Sequence, residues 1–197
     1  MIVQKSSTKM GALLESGKEL FWKYGVRKVS VEEICRHAGV SKMTFYRYFT
    51  DKTALAKSVF DAEVEKSMVR FTQIMESDIP SDEKLKHIFL MKSESVENIS
   101  QEFIRDFYSG SEPELQQHIR EKTQQIWQGI LEDFRKAQQK GDFRKDFKPE
   151  LMFYISTKIS EFLNDPYLIS LCGTQAEVIR EITRLFTYGI GSNPCNQ

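Results

Sequence analysis

The sequence lacks the marks of several large protein classes. Its three cysteines, Cys35, Cys172 and Cys195, are odd in number and far apart. That spacing excludes a disulfide framework and fits no zinc pattern. Free thiols in a reducing compartment are expected. Five prolines and ten glycines in 197 residues are few, and favour long helices over a loop-rich sheet protein. No apolar run approaches the ~18 residues that span a membrane. The first ten residues, MIVQKSSTKM, lack the apolar core of a signal peptide. A cytoplasmic protein without membrane contact is therefore expected. His87 and His118 have no second ligand at helical spacing, so no metal site is expected. There is no nucleophile elbow, metal-spaced cluster or glycine-rich phosphate loop, so neither catalysis nor a bound cofactor is expected.

The formal net charge is zero, but its distribution is uneven. Residues 1–52 hold ten Lys and Arg against five Asp and Glu, whereas residues 53–197 hold 18 against 23. A basic head on an acidic body is the electrostatic footprint of nucleic-acid binding. The apolar share of 40% is enough for a substantial core.

Residues 30–52, SVEEICRHAGVSKMTFYRYFTDK, give that head its outline. Ser30 and Glu33 stand three apart as a capping box. Ile34 and Ala38 continue an apolar face, and Gly39 ends the helix. Ser41 can cap a second helix from Lys42 to about Tyr48. Helix, glycine turn and helix in this span outline a helix-turn-helix. Phe45 and Phe49, four apart, give the second helix an anchoring face. Lys42, Met43, Thr44 and Arg47 are then placed for bases, and Tyr46, Tyr48 and Lys52 for phosphates. The cap residues Ser30 and Ser41 join them as candidate DNA contacts. A cation such as Lys52 opposes the macrodipole at the next helix start. A phosphate bound there would resolve the conflict.

These motifs resemble the DNA-binding domain of the TetR family of bacterial transcriptional regulators. The resemblance runs over residues 9–60 and rests on Leu20-Phe21, Gly25, Ile34, Ala38-Gly39-Val40-Ser41, Phe45-Tyr46-Arg47-Tyr48-Phe49 and Lys52. It covers about a quarter of the chain. Gly17 stands where that family prefers alanine, and the missing methyl is expected to loosen the first helix by ~1 kcal/mol.

Beyond the head, the spacing predicts helices throughout, about nine in all. A long helix from Asp51 to about Ser77 places Leu55, Val59, Ala62, Val69 and Ile74 on its buried side. Others follow from Ser81, from Ser100, and from Pro113 to Lys140. The last two predicted helices cover residues 149–164 and 174–188. The fold expected is all-α: a three-helix DNA-binding head over residues 1–52 and a helical body over residues 53–197.

Both final helices are apolar on more than one face. Leu151, Ile155, Ile159 and Phe162, with Val178, Ile182, Leu185 and Phe186, are the candidate dimer interface. Large exposed apolar faces mark contacts, and two helices from each subunit would make a two-fold four-helix contact. The resemblance implies such a homodimer on a palindromic operator, and a body that encloses an effector. Met91, Phe103, Phe107, Tyr108, Trp127, Phe134 and Tyr154 are candidate lining for an apolar or aromatic small molecule. The expectation is a repressor released from double-stranded operator DNA by such a ligand. The alternative is a DNA-binding protein whose body recruits a protein partner instead of a metabolite.

Overall fold

The computed structural model describes residues 2–96, 99–108 and 112–190, excepting the side chains of residues 2–8, 95, 96, 107, 108, 156, 159, 160 and 186. Among the described residues there are eleven helices and no extended strand: α1 Ile2–Tyr24, α2 Val31–His37, α3 Lys42–Tyr48, α4 Lys52–Glu76, α5 Ser81–Val96, α6 Gln101–Tyr108, α7 Pro113–Lys140, α8 Pro149–Thr157, α9 Ile159–Leu163, α10 Pro166–Cys172 and α11 Gln175–Gly189. Among those residues, no helix is long and apolar enough to cross a membrane. The chain forms two compact units. One comprises Met1–Val64 with Asn98–Lys122, and the other Glu65–Glu97 with Thr123–Gln197.

The first unit is built on Leu13 and Phe21 of α1, Ile34 of α2, Phe45 of α3 and Leu55 of α4, all fully buried. Phe103 of α6 and Leu115 and Ile119 of α7 complete this core. Trp22 meets Phe103 at a centroid distance of 4.3 Å, fixing α6 on the end of α1. Gly17 has a role that its helix propensity does not suggest. A Cβ there would stand 3.0 Å from Leu55 Cδ2, so the missing methyl is what lets α4 approach α1.

The second unit packs Phe71 and Met75 of α4 with Leu85, Ile88 and Met91 of α5, Phe134 and Ala137 of α7, and Phe143, Phe147 and Ile190. Lys84, almost wholly buried, crosses its edge. Its ammonium donates to Met75 O at 3.2 Å and to Asp142 Oδ2 at 2.8 Å. The lysine thus neutralises a carboxylate and satisfies one of the carbonyls left open at the end of α4.

Three expectations need correction. The helix expected over residues 149–164 divides at Lys158, whose φ of −96° and ψ of 0° leave helical values, giving α8 and α9. The Asp165-Pro166 pair starts a helix as well as stopping one. Asp165 Oδ1 accepts from Tyr167 N at 2.8 Å and from Leu168 N at 3.2 Å, and Pro166 occupies the first turn of α10. These two additions turn nine helices into eleven. Along α4, Ala62 and Val69 are exposed, while Phe71 and Met75 are buried. The buried face changes because α4 contributes to two separate cores, so one stripe cannot describe it.

Candidate nucleic-acid interface

Local chemistry holds α2 and α3 in place. Ser30 Oγ accepts from Glu33 N at 3.2 Å, while Glu33 Oε2 accepts from Ser30 N at 2.8 Å and from Ser30 Oγ at 2.7 Å. These donations hold the Glu33 carboxyl below the usual carboxylate range. At the other end Val40 N donates to Cys35 O at 2.9 Å, and Gly39 takes the left-handed φ of +63° that reverses the chain. Ser41 Oγ then accepts from Thr44 N at 3.2 Å and pairs with Thr44 Oγ1 at 3.0 Å, capping α3. The two cap serines and Thr44 are therefore engaged in forming the motif.

Two aromatic side chains anchor α3. Phe45 is fully buried and Phe49 nearly so, with ring centroids 5.7 Å apart. Anchoring this face turns Lys42, Met43, Tyr46 and Arg47 outward. Met43 is 81% exposed and Tyr46 57%. Lys42 ion-pairs with Glu32 of α2 on the exposed surface. Tyr48, the other tyrosine expected at a phosphate, is half-buried against the head core, with the Arg47 guanidinium 5.8 Å from its ring centre. A short helix with a cation, a thioether, a phenol and a guanidinium on one exposed face suits the major groove, where a helix fits and base edges offer donors and acceptors.

Lys52 is placed differently from the expectation. Asp51 caps α4 by accepting from Ala54 N at 2.8 Å. Lys52 turns back, and its ammonium donates to Arg27 O at 3.0 Å and Val29 O at 2.7 Å in the α1–α2 turn. Burial draws this ammonium below the usual lysine range, against the opposing pull of Glu112, Asp106 and Glu33. Two of its three N–H groups are thus committed to the protein.

Comparison with known proteins agrees with this geometry. Residues 13–59 match the family model for bacterial regulatory proteins of the tetR family. The chain is 25% identical over 140 residues to the HTH-type transcriptional regulator UidR of Escherichia coli K12, covering 68% of each chain. It is 22% identical over 147 residues to the HTH-type transcriptional repressor KstR2 of Rhodococcus jostii, covering 72% of this chain and 71% of that one. Its fold matches the Bacillus subtilis regulator FadR, solved with stearoyl-CoA, at a TM-score of 0.64 and 17% identity over 91% of this chain and 98% of that one.

Residues 13–59 thus form a DNA-binding head of the TetR type. The curated relatives that it matches over about two thirds of its length are transcriptional regulators, not enzymes.

Beyond the head, the structure separates several sequence candidates. Phe103 lies in the first unit, packed against Trp22. Met91 and Phe134 are buried in the second, and Phe134 packs on Phe71, Phe143 and Phe147 at 5.5–6.3 Å. Trp127 is half-buried against Phe153 at 5.6 Å, and Tyr154 is exposed. The side chains of Phe107 and Tyr108 lie outside the described residues. A cavity of about 420 Å³ borders α1 and α2 and another of about 490 Å³ borders Arg135 and Lys145, and neither is lined by any of these candidates.

On the last helices, Leu151 is exposed, Leu185 is 72% exposed, and Ile155, Phe162 and Ile182 are half-buried. Val178 is corrected from interface to core: it is 2% exposed within one chain and has no surface left for a partner. The side chains of Ile159 and Phe186 lie outside the described residues. The sequence reading passed over Tyr167 and Leu171 of α10 and Tyr188 of α11, all large, apolar and exposed. The signal for Tyr167 and Leu171 is the apolar run PYLISL, which lies between the two final helices that the spacing predicts.

Proposed function

We propose that this regulator acts as a homodimer that reads a roughly palindromic operator with α3 of each copy and represses transcription until a small-molecule ligand releases it. Residues 1–52 serve as the reading head and residues 53–197 as the effector-binding and dimerisation body. The observation that carries the reading is the outward face of α3, where Lys42, Met43, Tyr46 and Arg47 stand free of the core behind the anchors Phe45 and Phe49. Among these, Arg47 suits a guanine edge by bidentate hydrogen bonding. Tyr46 suits a phosphate, and so does the Lys42 ammonium when a phosphate replaces Glu32 as its partner. A single head reads few bases, whereas two heads ~34–36 Å apart read successive major grooves. Such a protein works in the cytoplasm, where its operator lies.

The dimer reading is supported by Leu151 and Leu185, with Tyr154, Tyr167, Leu171 and Tyr188 as further exposed apolar groups on α8, α10 and α11. The ligand reading is supported by the aromatic content of the second unit, Phe71, Phe134, Phe143 and Phe147 among it. An apolar or aromatic ligand suits such walls. Stearoyl-CoA in the Bacillus subtilis relative makes fatty-acyl compounds a first class to screen. A ligand weakens operator binding by as much as it prefers the non-binding conformation.

Selection of bound duplexes from a random library, followed by a metabolite screen for release, tests this reading. The expected product is an inverted repeat bound by two chains, as measured by light scattering of the complex. A tight complex with one chain on an asymmetric site would overturn the dimer. Release by no small molecule, with capture of a defined protein by the body, would overturn the ligand.

A further inference from the structure

The turn between α1 and α2, residues 25–29, is gripped from two elements at once. From α4, the Lys52 ammonium holds the carbonyls of Arg27 and Val29 at 3.0 and 2.7 Å. From α6, Asp106 Oδ2 accepts from Arg27 N at 2.9 Å. The peptide groups on either side of Arg27 are thus held by opposite charges on different helices. Asp106 is 5% exposed, and its approach requires Gly25: a Cβ there would stand 2.6 Å from Asp106 Oδ2. Lys28 Nζ pairs with Glu102 Oε1 at 3.2 Å on the same side, and Ser100 N donates to Trp22 O at 2.8 Å. The turn leads straight into Ser30, the cap of α2, which in turn packs on α3.

We propose that Lys52 and Asp106 are a positioning pair for DNA reading: together they clamp the α1–α2 turn and so set the placement of α2 and α3, and Lys52 acts through this clamp instead of as a phosphate ligand. The proposal rests on the reading of α3 as the base-contacting helix. It makes α6 a point from which operator affinity can be changed without touching any DNA contact. Removing either partner leaves the other's backbone bonds in place but frees one side of the turn.

The test is operator affinity of the full chain across a range of salt concentrations, for wild type, Lys52→Met, Asp106→Ala, their double variant and Asp106→Asn. Each of the first two variants is expected to lose about tenfold in affinity, as one or two hydrogen bonds to a charged group are removed. The slope of log affinity against log salt should stay unchanged, because no phosphate contact is lost. The double variant should lose little more than either single one, as coupled residues do. Asp106→Asn should retain affinity, since an amide oxygen can accept from Arg27 N. A slope lower by ~0.9 in Lys52→Met would show a phosphate ligand and overturn the proposal. So would additive losses, or full affinity in both single variants.

Arg47→Ala separates the two readings. If it leaves affinity and base preference intact, the assignment of α3 fails, whatever Lys52 does. Hydrogen exchange of wild-type amides covers the case in which variants unfold. Arg27 N should be protected as well as the α1 amides, and rapid exchange there would overturn the clamp.

Discussion

Gly25→Ala is the most informative single change in the head, because Gly39→Ala serves as its control. Both glycines have left-handed backbones, with φ of +79° and +63°. Each substitution therefore carries the ~1–2 kcal/mol cost of an L side chain in that region. Their surroundings differ. A Cβ at Gly39 meets nothing within 4 Å, whereas at Gly25 it stands 2.6 Å from Asp106 Oδ2 and 3.2 Å from the backbone carbon of Glu102. Asp106 must move and release Arg27 N, forfeiting a charge-assisted bond of ~1.5–3 kcal/mol. Gly39→Ala should thus cost ~1–2 kcal/mol, and Gly25→Ala ~3–5 kcal/mol when that bond is included. The assay is thermal unfolding followed by circular dichroism, where a ~2 kcal/mol difference separates the midpoints by ~4–8 °C in a chain of this size. Equal midpoints for the two variants would refute the claim that α6 packs onto the turn at Gly25.

Other parts of the molecule make further predictions. Lys84→Met should destabilise the second unit by ~2–3 kcal/mol, somewhat below the usual cost of breaking a buried pair because Asp142 keeps some solvent contact, and Lys84→Met with Asp142→Leu should recover most of it in urea unfolding. The folded Glu33 carboxyl titrates below its unfolded value, so its stabilising effect is present above the ordinary carboxylate range and lost as pH falls through the folded value. The midpoint gap between wild type and Glu33→Gln should therefore narrow on acidification, and a constant gap would be inconsistent with the capping box. Leu185→Asp should give monomers by light scattering and weaken operator binding. Val178→Ala should leave assembly intact and cost roughly 1–3 kcal/mol in stability.

Legibility in the sequence followed how local the determining physics was. Ser30, Glu33, Gly39 and Ser41 act on neighbours three to five residues away, so their caps and turn were readable and are found in the structure. Phe45 and Phe49 were readable as anchors because a four-residue spacing puts both on one helix face. Lys52 was not readable. Its partners lie 25 and 23 residues back, and only the folded turn brings their carbonyls to it. Gly17 looked like a weak point because propensity counts the helix alone and omits Leu55. The α4 stripe failed because one helix serves two cores, and α10 was missed because Asp-Pro reads as either a stop or a start. The candidate ligand wall was the least legible part, since aromatic residues that fill a core and those that line a cavity have the same composition.

The claim that α3 reads bases is tested most directly by fluorescence anisotropy at one fixed salt concentration. Wild type and Arg47→Ala would be titrated against a library-selected operator, its single-base variants and a shuffled duplex. The account predicts that wild type prefers the operator over the shuffled duplex by ~10³ or more. Arg47→Ala should lose ~1–3 kcal/mol of that preference at one or two base positions, while binding shuffled DNA nearly as well as wild type does. Equal affinity of wild type for both duplexes, or an equal loss on both from Arg47→Ala, would contradict it.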